Sequence, residues 1–135
     1  LFKLTELAAK TLGDRYDIEI MESHHRHKKD APSGTAKKLL DIIRASNPEL
    51  SGHEEISGRS GMIGERKNGE IGMMALRGGD IVGEHTVFFI GSGERLELTH
   101  RAMNRDNFAM GAVLAIEFLL GQPPGQYSMF DVLGF

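Results

Sequence analysis

The chain has 135 residues, of which 40% are hydrophobic and 26% charged, enough for one domain with a useful core, and no apolar run approaches the roughly 18 to 20 residues of a membrane span. A formal net charge of −3 argues against a nucleic-acid binder, which usually carries a basic excess. There is no cysteine, which excludes disulfides and thiol catalysis and suits a reducing, cytoplasmic setting.

Leu4, Leu7, Ala8 and Leu12 share one helical face, and Gly13 follows as a C-cap. This helical pattern opens almost at Leu1 without a polar lead, so a piece of a longer protein is expected. Tyr16 to Met21, with Ile18 and Ile20 at period two, predicts a strand running into a histidine cluster. Pro32 breaks regular structure and Ser33 can cap a helix after it. Ala36, Leu39, Leu40 and Ile43 predict that helix from about Gly34 to Ala45, ended by Asn47-Pro48. Residues 51–69 are rich in Gly, Ser and charge and read as a long loop.

Three strands are predicted next: Glu70 to Leu76, Glu84 to Ile90 and Arg95 to Arg101. Gly78-Gly79-Asp80 and Gly91-Ser92-Gly93 supply the turns between them. Ala109, Ala112, Val113, Ile116 and Leu120 form the stripe of a helix that starts near Asn104 and stops at Gly121 and Pro123-Pro124, leaving an irregular tail. Strands grouped after the first helices predict an α+β fold, a mixed sheet of about four strands with helices packed on one face.

The chemistry concentrates between His24 and Thr35. His24 and His25 stand at a strand end, where a side chain is held by the sheet yet reaches a loop. Neighbours on an extended chain point to opposite sides, so the two imidazoles have different jobs. Histidine titrates near neutrality and is the default general acid, and Lys28 and Lys29 follow in the same loop. Ser33 and Thr35 offer hydroxyls, Gly34 lets a ligand approach the backbone, and the free N–H groups of a helix start favour an anion. Helix capping alone would explain Ser33-Gly34-Thr35. Beside three histidines and three basic residues, a small-anion site explains it better.

His24, His25, His27 and Asp30 offer metal-ligand chemistry, but the helical zinc spacing is absent and no metal is expected. Ser33 lacks the Gly-x-Ser-x-Gly setting of a nucleophile. Gly91-Ser92-Gly93-Glu94-Arg95-Leu96 starts like a dinucleotide fingerprint but lacks the third glycine and sits in a hairpin. A nucleotide-binding domain is therefore not expected in these residues. An anion-binding module without catalysis is the competing reading.

The stretch from Glu22 to Ala36 closely resembles the signature of the 4-hydroxy-tetrahydrodipicolinate reductase family, also called dihydrodipicolinate reductase: Glu-x-His-His-x-x-Lys-x-Asp-x-Pro-Ser-Gly-Thr-Ala. Arg77-Gly78-Gly79-Asp80-Ile81-Val82-Gly83-Glu84-His85, Glu94 to His100 and Arg105 to Gly111 resemble further family stretches. The resemblance implies an oxidoreductase of the diaminopimelate route to lysine, using NADPH or NADH bound mainly by an absent N-terminal Rossmann domain. It implies His24 as proton donor/acceptor and Lys28 as second proton donor. His25, Ser33, Gly34 and Thr35 would bind a small dicarboxylate, and Arg105 and Phe108 would face the cofactor. It also implies a substrate-binding and oligomerisation domain over 1–104, a homotetramer formed through the sheet, and a helix and tail over 105–135 that pack on the nucleotide domain.

Overall fold

The computed structural model describes residues 1–135 as two compact units, Leu1–Arg101 and Ala102–Phe135. In the first, α1 (Phe2–Leu12), β1 (Asp17–His24), α2 (Gly34–Ser46), β2 (Glu54–Ser57), β3 (Glu70–Arg77), β4 (Gly83–Ile90) and β5 (Arg95–Ala102) follow in order. The fold is α+β, and its sheet is mixed, in the order β2-β3-β1-β4-β5. β1 is central. It pairs in parallel with β3, from Ile18↔Ile71 to His24↔Arg77, and antiparallel with β4, from Asp17↔Ile90 to Ser23↔Glu84.

The sheet has five strands rather than four. The additional β2 lies inside residues 51–69 and pairs in parallel with β3. Its four residues, Glu-Glu-Ile-Ser, offer one apolar side chain and no alternation, because an edge strand this short buries almost nothing.

Period two holds along β1 and decides what it buries. Ile18, Ile20 and Glu22 are enclosed on the face toward α2, with Ile71 and Met73 of β3 and Val87 and Phe89 of β4 beside the two isoleucines. Ala36, Leu39, Leu40 and Ile43 cover this face from α2. Followed from Ile18 to His24, the same face changes from wholly apolar to titratable, because Glu22 neighbours His85 and His24 neighbours Arg77. The titratable groups therefore sit together at the end of the core.

α1 keeps half of its expected face. Ala8 and Leu12 pack against the core, whereas Leu4 and Leu7 are exposed and Thr5 and Ala9 are the buried residues. The small pair lets α1 lie close against α2, which turns Leu4 and Leu7 outward. On the opposite face of the sheet, the Arg59 guanidinium donates to both oxygens of Glu19 at 2.8 and 3.0 Å, and Arg66 donates to Asp17 at 2.6 Å. Gly72 leaves room for this arrangement, since a Cβ there would displace the Glu19 carboxylate. Met74, Leu76 and Ile90 remain exposed.

The second unit contains α3 (Asp106–Leu119) and α4 (Met129–Val132). α3 buries no residue, and Phe108, Met110, Val113 and Ile116 are exposed along it. The tail is not wholly irregular. Ser128 and Asp131 close a reciprocal capping box that starts α4, and Phe118 meets Tyr127 edge-on at 5.6 Å.

Candidate functional site

Glu22 is the hub. Its carboxylate is fully buried and accepts four hydrogen bonds. Arg77 donates through two nitrogens at 2.7 Å each, one to each oxygen. His24 Nδ1 lies 2.7 Å from Oε2, and the Ser33 backbone N–H donates to Oε1 at 3.0 Å. Burial alone would raise this carboxyl above its usual range. The donors from Arg77, His24 and Ser33 outweigh that and hold it below. An ionised carboxylate only accepts, so His24 Nδ1 carries the proton of that contact.

Ser33 joins two parts of the site. Its backbone is extended and its Oγ accepts from the Ala36 N–H at 3.2 Å, which starts α2. The same Oγ lies 2.9 Å from His85 Nε2. The His85 ring is buried and meets His24 edge-on with centroids 5.2 Å apart. Burial first, and the nearby His24 charge second, push His85 down to about 4, so its ring is neutral at physiological pH.

The connecting loop is tied down at both ends. Arg77 donates to the Asp30 carbonyl at 2.7 Å, and the Gly78 N–H donates to the His24 carbonyl at 3.0 Å. Lys28 pairs with Asp30 at 2.9 Å, and the Lys28 ammonium holds the Asp30 carboxyl below its usual range. At the start of α2 the N–H groups of Ala36 and Lys37 reach Ser33, while those of Gly34 and Thr35 have no intrahelical acceptor. Gly34 is exposed and a Cβ there would meet nothing within 4 Å.

The structure thus brings His24, Ser33 and the helix start of Gly34 and Thr35 around one buried carboxylate, with Lys28 on the adjoining loop. His25 is half-buried, its ring 6.3 Å from that of His27. His24, His25, His27 and Asp30 do not gather into a ligand set. Arg105 and Phe108 lie in the second unit at the start of α3, both exposed.

Three members of the site carried no assigned role in the sequence reading: Glu22, Arg77 and His85. Two had a signal. The inward alternation Ile18, Ile20 continues onto Glu22, and Phe89, Val87 continues onto His85. A charged or titratable group on a core-facing register demands a partner.

The neutral His85 makes the fold acid-sensitive. In the unfolded chain its ring takes a proton near 6.5, whereas the folded ring resists to about 4. The stability it contributes is complete above about pH 6.5 and is lost as pH falls toward about 4, and this difference is worth about 3 kcal/mol. Urea midpoints across that window should fall more steeply for the wild type than for His85→Gln. Parallel curves would sink the assignment.

The chain matches the family model described as dihydrodipicolinate reductase, C-terminus, over residues 1–133. It is similar to the 4-hydroxy-tetrahydrodipicolinate reductase of Aquifex aeolicus, with 59% identity over 135 residues covering 99% of this chain and 49% of that protein. Similarity to the enzyme of the same name from Methanocaldococcus jannaschii is 57% identity over 135 residues, covering 98% of this chain and 47% of that protein. Among solved structures, dipicolinate-bound dihydrodipicolinate reductase from Paenisporosarcina sp. TG-14 aligns with a TM-score of 0.63 and 27% identity, over 86% of this chain and 44% of that one. The chain spans about half the length of the curated relatives it matches. It belongs to the family of dihydrodipicolinate reductase C-terminal domains.

Proposed function

We propose that this chain is the substrate-binding part of an NAD(P)H-dependent 4-hydroxy-tetrahydrodipicolinate reductase in the diaminopimelate route to lysine. The observation that carries the reading is the junction of His24, on its buried carboxylate, with the open helix start at Gly34 and Thr35. That junction pairs a proton-handling imidazole with an anion cradle. The dipicolinate-bound relative supports a dicarboxylate as the anion.

In this reading one hydride and one proton enter the cyclic imine dicarboxylate and one water leaves, giving tetrahydrodipicolinate. A nicotinamide cofactor supplies the hydride when bound. His24 exchanges the first proton through Nε2, and Lys28 is the second proton donor. The Gly34 and Thr35 amides and the Thr35 hydroxyl hold one carboxylate, with His25 and Ser33 completing its surroundings. Arg105 and Phe108, an exposed cation and an exposed ring, suit the face of an anionic dinucleotide, whose main binding domain lies outside this chain. Residues 1–104 serve substrate binding and assembly, and 105–135 pack on the nucleotide domain. The exposed apolar side chains of α3 support that packing.

The exposed Met74, Leu76 and Ile90 on the sheet support a homotetramer formed through that face, and sedimentation giving only monomer would remove that part of the proposal. No helix is long and apolar enough to cross a membrane, which accords with a cytoplasmic enzyme.

Pyridine-2,6-dicarboxylate, a planar analogue of the substrate, is the test ligand. Calorimetry on the reductase carrying both its parts should show binding, and Lys28→Ala should weaken it by about 10- to 100-fold, as expected for a charge-assisted hydrogen bond. No heat of binding in the wild type would overturn the reading.

A further inference from the structure

We propose that Glu22 is a positioning residue that fixes His24 in the Nδ1-protonated tautomer and so presents its Nε2 lone pair beside Gly83. The inference deepens the reading of His24 as the residue that exchanges a proton with substrate. It stands on the geometry of four donors and one glycine.

The groups around the carboxylate come from every element packed on it: His24 from β1 itself, Arg77 from β3, Ser33 from the start of α2, and His85 from β4. Lys28 and Asp30 lie on the adjoining loop and pair with each other. His85 makes no hydrogen bond to Glu22, whose partners are Arg77, His24 and Ser33, and its Nε2 lies 2.9 Å from the Ser33 Oγ. Arg77 occupies both carboxylate oxygens, so Glu22 stays ionised and cannot serve His24 as a donor. The only contact left to Nδ1 is that of a donor. A neutral His24 then has its lone pair on Nε2 alone, and a charged His24 can release a proton only from Nε2 without breaking the Glu22 bond.

Gly83 supports this independently. A Cβ at that position would stand 3.1 Å from His24 Nε2. The backbone of β4 leaves clear the one nitrogen that Glu22 does not use.

The same bonds say what Glu22→Gln does. The amide has one oxygen where the carboxylate has two. If its NH2 group replaces Oε1, it faces donors from Arg77 and Ser33, neither of which can reverse. If it replaces Oε2, it faces Arg77 and His24, and His24 can reverse by changing tautomer. The second arrangement leaves one opposed pair of donors instead of two. The Glu22→Gln variant therefore favours the Nε2-protonated tautomer of His24, with the lone pair turned inward.

The experiment is imidazole ¹⁵N NMR on the reductase, read at the alkaline end of the titration, with His24 assigned by the resonances lost in His24→Gln. The wild type should show Nδ1 protonated and Nε2 bare. Glu22→Gln should exchange the two and lower kcat by about 10²-fold or more, since a base with its lone pair misplaced forfeits general acid–base catalysis. Its KM should change by less than about threefold, a separation that a loosened fold would not give. A bare Nδ1 in the wild type overturns the inference, as does a folded Glu22→Gln variant with unchanged kcat. The wild-type spectrum decides even if the variant does not fold. It also requires no turnover, so it stands apart from the reductase reading.

Discussion

His24→Gln should lower kcat by about 10²- to 10⁴-fold, while the affinity for pyridine-2,6-dicarboxylate changes by less than about threefold. Glutamine keeps an N–H that can reach Glu22 and a side chain that fills much of the same space, so the hub around the buried carboxylate survives. What it lacks is a ring nitrogen that can take up and release a proton. The anion cradle proposed at Gly34 and Thr35 would belong to α2 and its Ser33 cap, not to His24, and should bind as before. Steady-state rates beside calorimetry on the same variant test this directly: kcat should fall while binding is retained. Retained turnover would return the chain to the reading of a metabolite-binding module.

The second large effect concerns stability. Arg77→Met should destabilise the fold by about 3–5 kcal/mol, the usual consequence of removing one partner of a buried ion pair. Methionine fills part of the space of the arginine stem but provides none of its donors. Glu22 is then left enclosed with only His24 and the Ser33 N–H, and its carboxyl must rise toward protonation. Glu22→Gln added to Arg77→Met should recover part of the loss, because the uncompensated charge is gone. Denaturant midpoints of the four proteins of this cycle give the answer. A loss below about 1 kcal/mol for Arg77→Met would mean that the pair is solvated and does not hold the site.

Much of the scaffold was legible because burial and periodicity agree. β1, α2, β3 and β4 each present apolar side chains to one core at the expected period, with the register of β1 and β4 running on into Glu22 and His85, and Ser33 announces its helix. The candidate site was legible in part because His24, Ser33, Gly34 and Thr35 are close in the chain, and the structure places His24 and the Ser33 N–H on one carboxylate. The misses have physical causes. β2 is a four-residue edge with little to bury, and α4 owes its existence to one capping box. On α1, Ala8 and Leu12 reach the core as their spacing predicts, but Leu4 and Leu7 do not, because close packing on α2 favoured Thr5 and Ala9. Arg77 is 55 residues from Glu22. Only the parallel register of β1 with β3 brings them together, and spacing along a chain does not encode register between strands.

The hub belongs to β1, the strand that the sheet flanks on both sides. Glu22 has a partner in each ladder, Ala75 on β3 and His85 on β4, so withdrawing it means pulling apart two ladders at once. The loop carrying Lys28 is under no such restraint beyond its few ties. Over time, then, adaptation to a new ligand has two unequal routes. Changes from Arg26 to Ala31 can be sampled cheaply and reversibly, whereas a change at Glu22 that breaks its bonds to Arg77 and Ser33 is screened by the folding of the whole sheet before it is ever screened by catalysis.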